Sequence, residues 1–155
     1  MSAVQQRRQG AEQLALVLTE HGMQRMSARV MAAFLFTEQL TLTQGELAEE
    51  LGASAGSVSG AVKMLHSLGL VERVPAAGSR RDHFRLRDDA WAALFSSQNE
   101  AMEEMLAAAR TGIEATGADS PARRRLEQMR EFHEFVLAAI PDLIEQWQRR
   151  SARDS

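Results

Sequence analysis

The sequence predicts a mainly α-helical protein with one small β hairpin, and three observations carry that prediction. Residues 42–68 hold two short, capped helices separated by a turn of about three residues. Residues 70–86 hold two strand-like runs around a loop marked by Pro75 and Gly78. On both sides of this segment, apolar residues recur at helical spacing.

Taken in order, Ala11 to His21 reads as a first helix with Leu14, Val17, Leu18 and His21 on one side. Ser27 to Phe36 reads as a second, with Val30, Met31, Phe34 and Leu35 facing inward. Thr43 followed by Glu46 is a capping box, in which each side chain satisfies a backbone amide that the helix leaves unpaired. Leu47, Ala48 and Leu51 give that helix a short apolar face, and Gly52 ends it where a left-handed residue is easiest to place. Ser54 then caps a helix running from Ala55 to Ser67.

Turned at 100° per residue, the Ala55–Ser67 helix puts Val58, Ala61, Val62, Leu65 and Leu68 on one side. Gly56, Gly60, Lys63 and Ser67 lie opposite, flanked by Ser57, Ser59 and Met64. An exposed glycine costs a helix interior about 1 kcal/mol against alanine. Two of them on one outward face suit close approach to another body, such as the walls of a DNA major groove. Gly69 closes the helix, Leu70 to Val74 reads as a strand, and His83 to Leu86 as its return, with Phe84 and Leu86 on one face. The loop between them carries Gly78, Ser79, Arg80 and Arg81. Two guanidinium groups at a hairpin tip suit a phosphate backbone or a narrow minor groove.

The run ELAEELGASAGSVSGAVKMLHSLGLVERV, followed by GSRRDHFRL, resembles the winged helix-turn-helix of MarR-type regulators, in particular their GbsR-like branch. The likeness is most specific over residues 28–90. It implies that Leu42 joins the small wing sheet, that Ser54 to Ser67 is the recognition helix, and that Arg80 and Arg81 sit on the wing. It also implies a homodimer, paired through helices at both chain ends, on a pseudo-palindromic operator, with release by a small molecule in many members. The DNA-binding residues expected on this basis are Thr43, Ser54, Ala55, Gly56, Ser57, Ser59, Gly60 and Lys63, with Ser79, Arg80 and Arg81 on the wing.

Net charge alone does not suggest a nucleic-acid binder: the 155-residue chain carries −3. Its distribution is more informative. Between Ala53 and Arg87 stand Lys63, Arg73, Arg80, Arg81, Arg85 and Arg87 against only Glu72 and Asp82. Lys63 is the single lysine beside seventeen arginines, a bias of the kind a GC-rich genome produces. The absence of cysteine excludes a disulfide framework, a thiolate metal site and sensing by cysteine oxidation, and fits a cytoplasmic protein; a bacterial one is what the resemblance implies. Arg7 and Arg8 do not make an export signal, because the apolar stretch 14–18 is short and flanked by Glu12 and Glu20. No stretch approaches the roughly 18 apolar residues of a membrane span. The four histidines show no metal spacing, and there is no phosphate loop or nucleophile with a placed base, so neither metal, cofactor nor enzymatic activity is expected. A winged helix used only for protein contact remains the alternative.

From Asp88 or Asp89 a long helix should run to about Ala115, with Trp91, Leu94, Phe95, Gln98, Met102, Met105 and Ala109 along it. Asp119, Ser120 and Pro121 open the last helix. There Leu126, Met129, His133, Val136, Ile140, Leu143 and Trp147 follow one another at alternating steps of three and four residues, a heptad seam. Phe132, Phe135, Leu137 and Ile144 widen it, and Pro141 should kink or restart the helix near Ala139. With Leu14 and Leu18, this seam is the expected dimerisation surface, an intramolecular three-helix lobe being the alternative. The expected organisation is a dimerisation helix over 1–26, a DNA-binding domain over 27–88 and a helical dimerisation region over 89–155. Arg123, Arg124 and Arg125 are expected to be solvated or to pair with Glu100, Glu103 or Glu104. An effector cavity, if present, is expected to draw on Met31, Phe34, Trp91, Phe95, Met102 and Phe132, although at helical spacing these residues fit a core better.

Overall fold

Thr43 and Glu46 form the reciprocal cap that their spacing predicts. In the computed structural model, which describes residues 1–154, the Glu46 amide donates to Thr43 Oγ1 at 3.1 Å. The Thr43 amide donates to Glu46 Oε1 at 3.0 Å. Helix α3 (Gln44–Leu51) starts there and stops at Gly52, whose φ of 59° is the left-handed conformation that turns the chain. Ser54 Oγ then accepts the Ser57 amide and opens α4 (Ala55–Ser67), with the bounds the sequence predicts.

Before this pair lie α1 (Ala3–Glu20), α2 (Arg25–Phe36) and the short strand β1 (Leu42–Thr43). After it come β2 (Val71–Val74) and β3 (His83–Leu86). The three strands form an antiparallel sheet in the order β1-β3-β2, with Leu42 opposite Phe84 and Arg73 also opposite Phe84. Alternation along β3 sends Phe84 into the core, while the Arg73 guanidinium lies 5.8 Å from the centre of its ring.

One apolar core unites these elements. Val30, Met31 and Phe34 of α2 meet Leu47 of α3 and Val58, Val62 and Leu65 of α4. Leu42, Val71 and Phe84 close it from the sheet. Helix α1 packs on α2 through Ala15, Ala28 and Ala32, small residues that let the two helices come close. Gly10 serves the same approach: a Cβ there would stand 2.9 Å from the Phe36 ring.

Helix α1 begins eight residues earlier than Ala11, because Ser2 and Gln5 form a second capping box. Its buried residue is Ala15, whereas Val17 is 49% exposed, so the Val17 face is not the inward one. This packing puts α1 in one compact unit with the helix-turn-helix, spanning Met1–Leu94.

The second unit begins at Phe95. Helix α5 (Ala90–Glu114) crosses the boundary, and within the second unit it buries Leu106, Ala109 and Ile113 along one face. Ser120 Oγ accepts the Ala122 amide and starts α6 (Pro121–Arg153). Pro141 lies within that helix without ending it, so the helix does not restart near Ala139. A proline withdraws one backbone bond and crowds one carbonyl, and here the turns on either side continue the ladder. Arg123 also departs from expectation, with no bond to Glu100, Glu103 or Glu104. Its guanidinium donates to the Ile113 and Thr116 carbonyls at 3.4 and 3.3 Å and to Glu127 at 3.1 Å. The Ile113 carbonyl also accepts the Thr116 amide and hydroxyl, and a cation suits the negative, C-terminal end of α5 where these carbonyls lie.

Candidate nucleic-acid interface

Among the described residues, the outward face of α4 is exposed. Ala55, Gly56, Ser57, Ser59, Gly60 and Lys63 are all exposed, and a Cβ at Gly56 or Gly60 would meet nothing within 4 Å. Neither glycine is therefore needed for packing inside this chain. Ser54 is exposed too, and its hydroxyl lies 2.9 Å from that of Ser57. Thr43 is different: it is 5% exposed and its hydroxyl accepts the Glu46 amide, so it holds α3 in place instead of facing a solute.

The cations of this segment fall into two groups. Arg73 pairs with Asp82 at 3.6 Å, Arg85 with Glu72 at 2.6 Å and Arg87 with Asp89 at 3.0 Å. The hydrogen bond to Glu72, and then its charge, raise the Arg85 pKa further above its ordinary value. Lys63, Arg80 and Arg81 are exposed and have no acidic partner among the described residues. Local charge on this surface is thus concentrated in three side chains, one on α4 and two at the wing. The Arg81 guanidinium reaches back over α3, with Nη1 4.0 Å from where a Cβ of Gly45 would stand.

The wing turn is held by side chains from three segments. Ser79 Oγ accepts the Arg81 amide at 3.2 Å and lies 3.5 Å from the Arg81 carbonyl. His83, at the root of the turn, places Nε2 3.1 Å from Ser79 Oγ and Nδ1 3.0 Å from Thr41 Oγ1. No spacing rule in the sequence connects Thr41 to His83; the contact exists because β1 pairs with β3.

The expected dimerisation residues divide. Leu14 and Leu18 are half-buried beside the Ala15, Ala28 and Ala32 cluster. Leu126 reaches Gly112 of α5, Met129, His133 and Val136 are half-buried, and Ile140 is buried. His133 Nδ1 donates to the Met129 carbonyl one turn back, at 2.8 Å, and its ring meets Phe132 edge-on. Only Leu143 and Trp147 of the seam stand open, at 55% and 50% exposure. The more exposed apolar residues are Phe132 and Phe135, at 62% and 77%, which the sequence placed beside the seam. With Val136, Ala139, Leu143 and Trp147 they occupy roughly 120° of arc, about 100° round the helix from Leu126, His133 and Ile140.

A cavity of about 380 Å³ lies among α1, α2 and α3, lined by Arg7, Arg29, Phe36, Leu47 and Glu50 among others. None of the six residues expected to line an effector cavity contributes to it. Met31 and Phe34 are used in the core, as their helical spacing suggested, whereas Trp91, Phe95 and Phe132 are exposed. Among the described residues no group of acidic or histidine side chains could hold a metal ion, and no helix is long and apolar enough to cross a membrane.

Two family models match the chain. Residues 21–82 match the MarR family, and residues 89–150 match the MmpR5-like MarR family transcriptional regulators. The HTH-type transcriptional regulator MmpR5 of Mycobacterium tuberculosis (strain ATCC 25618 / H37Rv) is 32% identical over 144 residues, covering 92% of this chain and 87% of that protein. A crystal structure of a transcriptional regulator superposes with a TM-score of 0.79 at 30% identity, covering 93% of this chain and 99% of the other. The capped helix pair, the three-stranded wing and the helices around them thus meet a relative along nearly the whole sequence, and the chain belongs to the MarR family of transcriptional regulators.

Proposed function

We propose that this regulator binds double-stranded DNA sequence-specifically as a homodimer, on a pseudo-palindromic operator. The observation that carries the reading is the set of exposed cations without acidic partners, Lys63 on α4 and Arg80 and Arg81 on the wing, beside the open glycine-serine face of α4. In this reading Gly56, Ser57, Ser59, Gly60 and Lys63 enter a major groove and read base edges. Ser79, Arg80 and Arg81 grip the neighbouring backbone or minor groove. Ser54 and Ala55 stand at the helix N-terminus, where amides favour phosphate.

The exposed apolar arc of α6 supports the dimer. Phe132, Phe135, Leu143 and Trp147 present a contiguous stripe of the kind that marks an association surface. Two copies on one duplex would place their α4 helices in successive major grooves, about one helical turn apart. The protein acts without catalysis in the cytoplasm of a bacterium, most often as a repressor. A GbsR-like place within the family rests on residues 28–90. Release by a small molecule belongs to the same reading; the 380 Å³ cavity is within the roughly 300–1,000 Å³ range of ligand pockets.

Fluorescence anisotropy tests this reading, with DNA from upstream of the protein's own gene beside a scrambled duplex. The expected result is binding at least about a hundredfold tighter to the upstream DNA, weakening with salt at a slope near −0.9 per phosphate contact. Equal, micromolar binding to both duplexes would favour the use of this winged helix for protein contact.

A further inference from the structure

We propose that His83 is a positioning residue for DNA binding: it clamps the wing turn to the segment that leads into the helix-turn-helix, and so fixes where Arg80 and Arg81 point. This rests on the proposed DNA-binding function.

Register puts His83 at the root of the wing. It pairs with Thr43 of β1 on one side and Val74 of β2 on the other, the last rung of the sheet before residues 75–82 depart as a loop. Alternation along β3 turns Phe84 into the core and leaves the His83 ring half-buried on the opposite face. There each ring nitrogen meets a hydroxyl, Nδ1 with Thr41 Oγ1 at 3.0 Å and Nε2 with Ser79 Oγ at 3.1 Å. Ser79 carries the constraint onward, since its Oγ accepts the Arg81 amide at 3.2 Å. One imidazole thereby ties the chain just before α3 to the arginine pair.

The hydroxyls are matched to the ring in either neutral tautomer. If Nε2 carries the proton, it donates to Ser79 Oγ, which can donate to the Arg81 carbonyl, while Thr41 donates to Nδ1. If Nδ1 carries it, Nδ1 donates to Thr41 Oγ1 and Ser79 donates to Nε2. Little else restrains the loop: a Ser79 amide bond to the Ala76 carbonyl at 3.2 Å and the Arg73–Asp82 pair at 3.6 Å. Without the clamp, two long side chains on a free hairpin would have to be ordered at the moment of binding, at the expense of affinity.

The test combines two readouts on the full chain. His83→Phe keeps a ring but loses both hydrogen bonds, and Thr41→Val removes the hydroxyl on the helix-turn-helix side while keeping its shape. In the free protein, amide hydrogen exchange at Arg81 should quicken severalfold in both variants. On the duplex from upstream of the gene, each variant should bind on the order of tenfold more weakly. The salt slope should fall by about 0.9, the equivalent of one phosphate. In an Arg80→Ala/Arg81→Ala background, His83→Phe should cost no further affinity, because what it positions is gone.

Unchanged Arg81 exchange in both variants would overturn the clamp, whatever happens to DNA binding. An undiminished effect of His83→Phe in the arginine-free background would overturn its action through Arg80 and Arg81. A wild-type protein that binds no duplex, with Arg81 exchange still dependent on His83, would instead overturn the DNA-binding function and with it the clamp's purpose.

Discussion

Residues 1–94 and the helices beyond Phe95 use their apolar side chains in opposite ways. In the first region the large ones converge: Met31, Leu47, Val58, Val62, Leu65 and Leu70 are all less than 2% exposed. In the second, the fully inward residues are few, namely Leu106, Ala109, Ile113 and Ile140, while Phe132, Phe135, Leu143 and Trp147 lie open. The first region therefore carries a core sufficient to order its own surface, which is what a DNA-reading face requires. The second offers a surface that gains by being covered. In the proposed function, recognition and association thus sit on parts of the chain that depend on apolar burial to different degrees.

Four variants would break or sharpen that contrast. The largest effect is expected from Leu65→Ala, which empties a fully buried site on α4 and should cost roughly 2–5 kcal/mol of folding stability. A urea-unfolding midpoint unchanged from wild type would show that the first region does not rest on this core. Next comes Phe132→Ser with Phe135→Ser. Each phenylalanine contributes about 1.5–3 kcal/mol when covered, so self-association should weaken on the order of a hundredfold or more. Sedimentation velocity across a concentration series checks this, and an unaltered dimer would move the interface off this arc.

Arg80→Ala with Arg81→Ala should act on DNA alone. Affinity should fall about ten- to a hundredfold and the salt slope by about 0.9 for each phosphate no longer gripped, while sedimentation stays as in wild type. A change in association would join the two functions that the contrast separates. The smallest effect is expected from Ser54→Ala, which removes the N-cap of α4 and leaves the Ser57 amide without its side-chain acceptor. It should lower stability by about 1 kcal/mol, read in the same urea series, with self-association untouched.

The helix-turn-helix was legible almost to the residue, and the reason is chemical. Its boundaries are written in local signals: Thr43 with Glu46, Gly52, and Ser54. Each acts on backbone groups within a few positions, so spacing along the chain is enough to identify it. The start of α1 was written in the same code, Ser2 with Gln5, but no apolar periodicity beside it drew attention to the cap. The open face of α4 was equally readable, because Val58, Val62 and Leu65 define an inward direction and leave the glycines and Lys63 outside.

What periodicity could not supply was the choice between two apolar stripes on one helix. Helix α6 carries Leu126, His133 and Ile140 on one stripe and Phe132, Phe135 and Leu143 on another, and both repeat at helical spacing. The heptad reading ran its seam through the first stripe and on to Leu143 and Trp147, with Phe132 and Phe135 widening it; in the structure Leu126 and His133 are half-buried and Ile140 buried, while Phe132, Phe135, Leu143 and Trp147 are open. A helical repeat states that a face will be covered without saying by what, since burial energy is non-directional. The same limit applied to Arg123 and His83. Their partners, the carbonyls closing α5 and the hydroxyls of Thr41 and Ser79, come within reach only once the α5–α6 turn and the β1–β3 pairing have formed. The sequence by itself therefore determined where helices begin and end and which face of α4 meets the solvent, because those depend on neighbours in the chain. Tertiary structure alone decided which stripe of α6 stays open and how the wing is held, because those depend on groups brought together from distant positions.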